Sequence, residues 1–166
     1  MANIIQISDF KGRFSFPKNT YTEANQQEYI DYYEKIYLTK LLGAELYDLF
    51  INDLVSGVPQ TQRFIDIYEP FSIDDDSTLR VSDGIKDMLR GFIFYEMARK
   101  DIKRTLAGNT RNVSDNGEVI ASGRTYLISI YNEALLSYNQ IQWFICDNDT
   151  VYPEFNGVKI SEIAWL

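Results

Sequence analysis

No histidine occurs anywhere in the 166-residue chain, which removes the commonest general base and every imidazole-dependent triad or di-metal bundle. The remaining candidates for chemistry are few. Asp74, Asp75 and Asp76 stand consecutively and suggest calcium. The spacing of a calcium loop fails, however: Leu79 occupies the position that needs glycine, and no glutamate stands at position twelve. The run from 73 to 77 therefore reads as a solvent loop. Glu96 is the one charge in the apolar run 91–98, a setting in which a carboxylate is either perturbed or paired with Arg99, Lys100 or a group on another helix. Cys146 follows Trp143, Phe144 and Ile145 and reads as an inert core thiol. As the single cysteine, it excludes an internal disulfide and any multi-cysteine metal site. No phosphate-binding glycine loop, G-x-G-x-x-G or G-x-S-x-G is present. The residues predict no catalysis, no metal and no cofactor.

Composition narrows the class further. An apolar fraction of 45% is that of an ordinary folded domain, and the length suits one domain with a real core. The aromatics are numerous, with 12 Tyr, 10 Phe and 2 Trp. Tyrosine combines buried area with a polar tip, which suits wet or subunit-facing surfaces. The net charge of −8 argues against tight non-specific nucleic-acid binding, because that binding neutralises phosphates with Lys and Arg. It is compatible with nucleic acid sliding past without sticking. The opening MANIIQISDF lacks the basic start and apolar run of a secretory leader. No segment approaches the roughly 20 apolar residues of a membrane span. These features predict an intracellular or particle-borne protein.

The elements that would position these residues are helices. The central one spans about 83–107: Ile85, Met88, Phe92, Tyr95, Ala98, Ile102 and Leu106 recur at steps of three and four. Ser82 or Asp83 can cap its start and Gly108 or Asn109 its end. Its middle, 91–98, is apolar nearly all round. Such a helix is buried on every side, within a thick core or partly against a neighbouring copy. Phe92 and Tyr95 are expected at the centre. A second helix covers about 22–55, with Thr22 as cap, Ile30, Tyr33, Tyr37 and Leu41 as its stripe, and a bend near Gly43. A short helix is expected at 61–69, stopped by Pro70. A last long helix runs over 124–146, with Leu127, Ile130, Ala134, Tyr138, Ile141 and Ile145 in register. Asp115, Asn116 and Gly117 could close a small hairpin in the loop before it. The expected fold is all-α: a small helical bundle of about three long helices plus short ones. It comprises an N-terminal arm (1–21), a helical domain (22–147) and a C-terminal arm (148–166).

Two local patterns stand out. In the first, a helix is followed by Leu41, Leu42 and Gly43 and then by Glu45, Leu46, Tyr47, Asp48, Leu49 and Phe50. The second is the long helix with Leu89, Arg90, Gly91, Phe92, Ile93, Phe94 and Tyr95, followed by Thr105, Gly108 and Asn112, a loop and another long helix. Together they resemble the helical head–tail connectors, or adaptors, of tailed bacteriophages, over roughly 22–147. The resemblance implies a structural virion protein of the head–tail junction, made in the host cytoplasm. Subunits of that family form a homo-oligomeric ring, usually a dodecamer, below the portal protein; it extends the DNA channel and docks the next ring or tail protein. The rival reading is a soluble helical ligand- or protein-binding regulatory module. Both arms lie outside the resembling core. The C-terminal arm carries Tyr152, Phe155, Ile163, Trp165 and Leu166 without a helical stripe to bury them. Because exposed apolar area is costly, at about 25 cal/mol per Å², these residues are candidates for docking, either on the chain's own bundle or on a portal or ring neighbour.

Overall fold

In a computed structural model, residues 3–16, 21–75, 78–107 and 123–163 are described. After two short 3-10 turns, Ile7–Asp9 and Gly12–Phe14, the order is α1 (Glu23–Leu42), α2 (Ala44–Asp53), β1 (Leu54–Val55), β2 (Val58–Pro59), α3 (Gln62–Tyr68), β3 (Phe71–Asp75), β4 (Thr78–Ser82), α4 (Gly84–Ala107) and α5 (Gly123–Asp147). The protein is thus mostly helical rather than all-α, with two antiparallel hairpins among the helices.

Helix α4 is the axis of the fold. All seven residues 91–97 are buried, and the chain's own elements cover them, so no neighbouring copy is required to bury this run. Phe92 stacks on Tyr37 of α1, with centroids 4.2 Å apart and an interplanar angle of 3°. Its edges meet Tyr131 and Tyr138 of α5 at 5.2 and 6.1 Å. Where α4 crosses α5, a Cβ on Gly91 would stand 2.9 Å from that of Ala134, so the absence of a side chain lets the helices approach this closely. The start of α4 also depends on a glycine. Gly84 has φ +81°, and a Cβ there would lie 2.4 Å from the Tyr68 carbonyl oxygen, while the Ser82 hydroxyl accepts from the Gly84 N–H.

The first helical region is two helices. Thr22 caps α1 by accepting from the Asn25 N–H. Gly43, at φ +81°, then turns the chain into α2, whose Leu46 and Phe50 enter the core. The second helix ends at Asp53 instead of continuing to 55, because Ser56 and Gly57, both at positive φ, form the tight turn of the β1–β2 hairpin. The turn is held from outside: Asp53 accepts from the backbone N–H groups of Gln60 and Thr61.

The segment read as an aspartate-rich loop is partly a hairpin. Strand β3 pairs with β4 in a register that sets Phe71 opposite Ser82 and Ile73 opposite Arg80. Alternation explains the difference. Phe71 packs on the core and reaches the ring of Phe144 on α5, whereas Ser72 and Asp74 lie on the exposed side. The expected helix end at Gly108 and Asn109 and the turn at 115–117 lie outside the described residues.

The described residues of both arms pack on the body. Ile4 and Ile5 are buried in the main core, and Phe14 anchors a second cluster with Phe94, Tyr95, Leu127 and Ile130. At the other end, residues 151–163 run back over α1 and α5. The Asn156 and Val158 N–H groups donate to the carbonyls of Leu42 and Lys40, which supplies partners to the last turn of α1. The segment passes so close that a Cβ on Gly43 would lie 2.6 Å from Asn156 backbone. No strand forms at Val158 and Ile160; single backbone bonds and side-chain hooks hold the segment instead.

Candidate functional site

Charged groups in the interior serve to hold the fold. On α1, Glu34 is buried, and its two carboxylate oxygens accept from the backbone N–H groups of Ile4 and Ile5 at 3.0 and 2.9 Å. Burial pushes its pKa up, more than the two amide donors pull it down. The carboxylate thus clamps the N-terminal arm. Glu96 of α4 accepts from the Tyr37 hydroxyl at 3.0 Å and forms an ion pair with Arg99 at 2.7 Å. The pairing suggested by its sequence neighbours is present, with a hydroxyl from another helix added. Burial, with Glu96 alongside, raises the pKa of Tyr37 well above the ordinary phenol value.

Both clusters hold elements of the fold together. Each carboxylate is engaged by the groups it fixes, and Glu34 also borders a depression of about 290 Å³ with Asp31, Lys35 and Tyr47. Among the described residues, no group of three or more Cys, Asp or Glu is arranged to hold a metal ion, and no helix is long and apolar enough to cross a membrane. Cys146 is exposed, which corrects its assignment as a core thiol. It follows Ile145 on α5, so the helical turn carries it away from the face that buries Ile141 and Ile145.

The predicted docking residues separate into distinct places. Tyr152 is 2% exposed, donates its hydroxyl to the Arg63 carbonyl and meets Phe144 edge-on. It is a core residue of its own domain, as is Phe155, which packs half-buried on the main core. Ile163 packs on the second cluster, while its N–H donates to Asn132 Oδ1 at 3.2 Å. Trp165 and Leu166 lie outside the described residues. Tyr152, Phe155 and Ile163 therefore pack on the chain itself, while Val151 and Val158 stay exposed.

Two outward surfaces that the sequence did not single out remain. Glu28, Tyr32 and Ile36, four residues apart on α1, border a broad open depression of about 790 Å³; Tyr32 is 62% exposed. On α5, Leu136 is 58% exposed and Trp143 lies two turns further on. The guanidinium of Arg80 on β4 sits 3.8 Å from the Trp143 ring centroid. Helical spacing marks Tyr32 and Leu136 as off the buried stripes. The meeting of Arg80 with Trp143 leaves no trace in sequence order.

No protein-family model matches the chain, and comparison with curated proteins and with solved structures returns no match.

Proposed function

We propose that the chain is a structural subunit of a phage head–tail connector, assembling as a closed homo-oligomeric ring below a portal protein. The observation that carries this reading is the distribution of polar and apolar groups. The ionisable groups of the interior act as clamps within the fold, while large apolar side chains such as Tyr32 and Leu136 face outward on α1 and α5. A protein so arranged offers surfaces for assembly rather than a site for turnover. The helix–Leu–Leu–Gly–helix pattern adds support, since Gly43 forms the corner between α1 and α2. The acidic balance suits a channel wall that lets DNA pass without holding it.

The broad depression beside α1 favours the rival reading, a helical ligand- or protein-binding module. Light scattering combined with electron microscopy of the purified chain, from micromolar to millimolar concentration and with or without portal protein, distinguishes them. Closed rings with a central opening, or stoichiometric capture on the portal, support the connector. A monomer that ignores portal protein overturns it.

A further inference from the structure

We infer that Asn156 and Gly157 form a site of spontaneous backbone modification: the pair deamidates with water as the only co-reactant, and the product loosens the strap that the C-terminal segment lays over α1. The modification is independent of the connector reading.

The reactants are the Asn156 carboxamide and the backbone nitrogen of the next residue. Glycine hinders their meeting least, because it has no side chain. The structure leaves both groups unengaged. Asn156 is exposed, and its carboxamide makes no hydrogen bond among the described residues. The Asn156 N–H donates to the Leu42 carbonyl at 3.3 Å and the Val158 N–H to the Lys40 carbonyl at 2.7 Å. Between them, the Gly157 N–H has no acceptor among the described residues. No hydrogen bond of either reacting group therefore has to break before the Gly157 nitrogen attacks Asn156 Cγ. The new C–N bond closes an imide ring. The bond from Cγ to the carboxamide nitrogen breaks, and ammonia leaves with the proton given up by the Gly157 nitrogen. Water then opens the ring. Hydrolysis at the side-chain carbonyl leaves aspartate, whereas hydrolysis at the main-chain carbonyl leaves isoaspartate, whose chain runs on through Cβ and Cγ.

Isoaspartate adds one carbon to the main chain between the two hydrogen bonds to α1, where there is no slack. A Cβ on Gly157 would stand 2.2 Å from the Leu41 carbonyl oxygen and 2.6 Å from Gln142 Nε2. Just beyond, the Val158 carbonyl accepts from the Tyr138 hydroxyl and from Gln142, which fixes the register from the other side. The lengthened segment cannot hold the Leu42 and Lys40 carbonyls together. Both products also place a carboxylate beside the last turn of α1, the negative end of that helix. The α1–α2 corner thus carries a clock, and a chain loses its strap as it ages.

The test ages full-length chain in mildly alkaline buffer for the time in which the same chain, unfolded in guanidinium chloride, converts at Asn156. Peptide mapping with enzymatic methylation of isoaspartate locates the product and keeps it apart from that of the second such pair, Asn116 and Gly117. Conversion at Asn156 is expected in the folded chain. The converted fraction should melt below fresh protein and exchange the Val158 amide hydrogen roughly tenfold faster. Asn156→Gln keeps an exposed carboxamide, but its ring closure is far slower. It should melt like wild type when fresh and hold that melting temperature through ageing. If Asn156 stays intact while the unfolded chain converts, the strap holds the reactants apart and the inference fails. If isoaspartate forms without a change in melting or exchange, the strap does not depend on the register of its main chain, and the consequence is wrong. A loss of stability that Asn156→Gln shares would assign the ageing to another residue.

Discussion

Replacing Tyr152 by alanine tests whether the C-terminal segment is part of the core. The side chain is 2% exposed, and aromatic side chains bury about 150–250 Å². At about 25 cal/mol per Å² the transfer contribution is at most roughly 4–6 kcal/mol. Large-to-small substitutions of buried aromatics cost about 3–5 kcal/mol, and that is the loss expected here. At about 2–4 °C per kcal/mol for a chain of this length, the melting temperature should fall by roughly 6–20 °C. Tyr152→Phe keeps the ring and removes only the hydrogen bond to the Arg63 carbonyl, so about 1 kcal/mol is expected. Guanidinium unfolding, followed by far-ultraviolet circular dichroism and by tryptophan fluorescence, gives both numbers. Coincident transitions with an unchanged slope would show the loss to be global. A Tyr152→Ala chain within 1 kcal/mol of wild type, or a chain truncated after Thr150 that melts normally, would refute the reasoning. The tail would then be an appendage of the bundle.

Phe92→Ala should cost about 3–5 kcal/mol in the same assay, since the ring is fully buried among Tyr37, Tyr131 and Tyr138; a loss below 1 kcal/mol would place that face outside the core. Gly43→Ala should destabilise by about 2 kcal/mol or more, because positive φ and contact with Asn156 backbone both exclude a Cβ; an unchanged unfolding midpoint would contradict this. Glu34→Ala leaves the N–H groups of Ile4 and Ile5 without acceptors. At about 1–3 kcal/mol per unpaired group, the arm should detach and become sensitive to limited proteolysis. Burial raises the pKa values of Tyr37, Tyr138 and Tyr152 above the phenol value of 10.0. The folded state therefore binds these protons more tightly than the unfolded state. Their contribution is fully present below pH 10 and is lost as pH rises, by up to about 1.4 kcal/mol per unit for each tyrosine. Alkaline unfolding should be cooperative and coincide with late-appearing tyrosinate absorbance; smooth ionisation without unfolding would sink this.

The long helices were legible because α4 and α5 keep their apolar residues at steps of three and four, and burial follows those steps at Ile85, Met88, Phe92, Ile130, Ala134, Tyr138 and Ile141. Gly43 marked the corner before α2 for a local reason, its positive φ. The β3–β4 hairpin was hidden by three consecutive aspartates, although Phe71, Ser72, Ile73 and Asp74 alternate as a half-buried strand should. On α1, Glu34 was hard to place as a core residue because its partners are amides almost thirty residues earlier, contributed by backbone rather than by side chains. The candidate surfaces failed to announce themselves for the same reason: Arg80 and Trp143 meet only once β4 lies on α5. The docking role assigned to the tail followed from the right demand, burial of Tyr152 and Phe155, but α1, α3 and α5 already supply it.

The clamping of both ends onto α1 bears on how the chain is made. Residues 4 and 5 wait on Glu34, whereas the last turn of α1 receives its partners from Asn156 and Val158. On a ribosome, the first helix emerges long before the segment that supplies partners to its last turn. The last turn of α1 therefore cannot receive these partners until residues 156–158 have been made. Contacts between residues this far apart in sequence slow the final closure relative to helix formation. Until the segment seats, the surface over Leu41 and beside Phe144 is uncovered, and a newly synthesised chain is at its most vulnerable to aggregation.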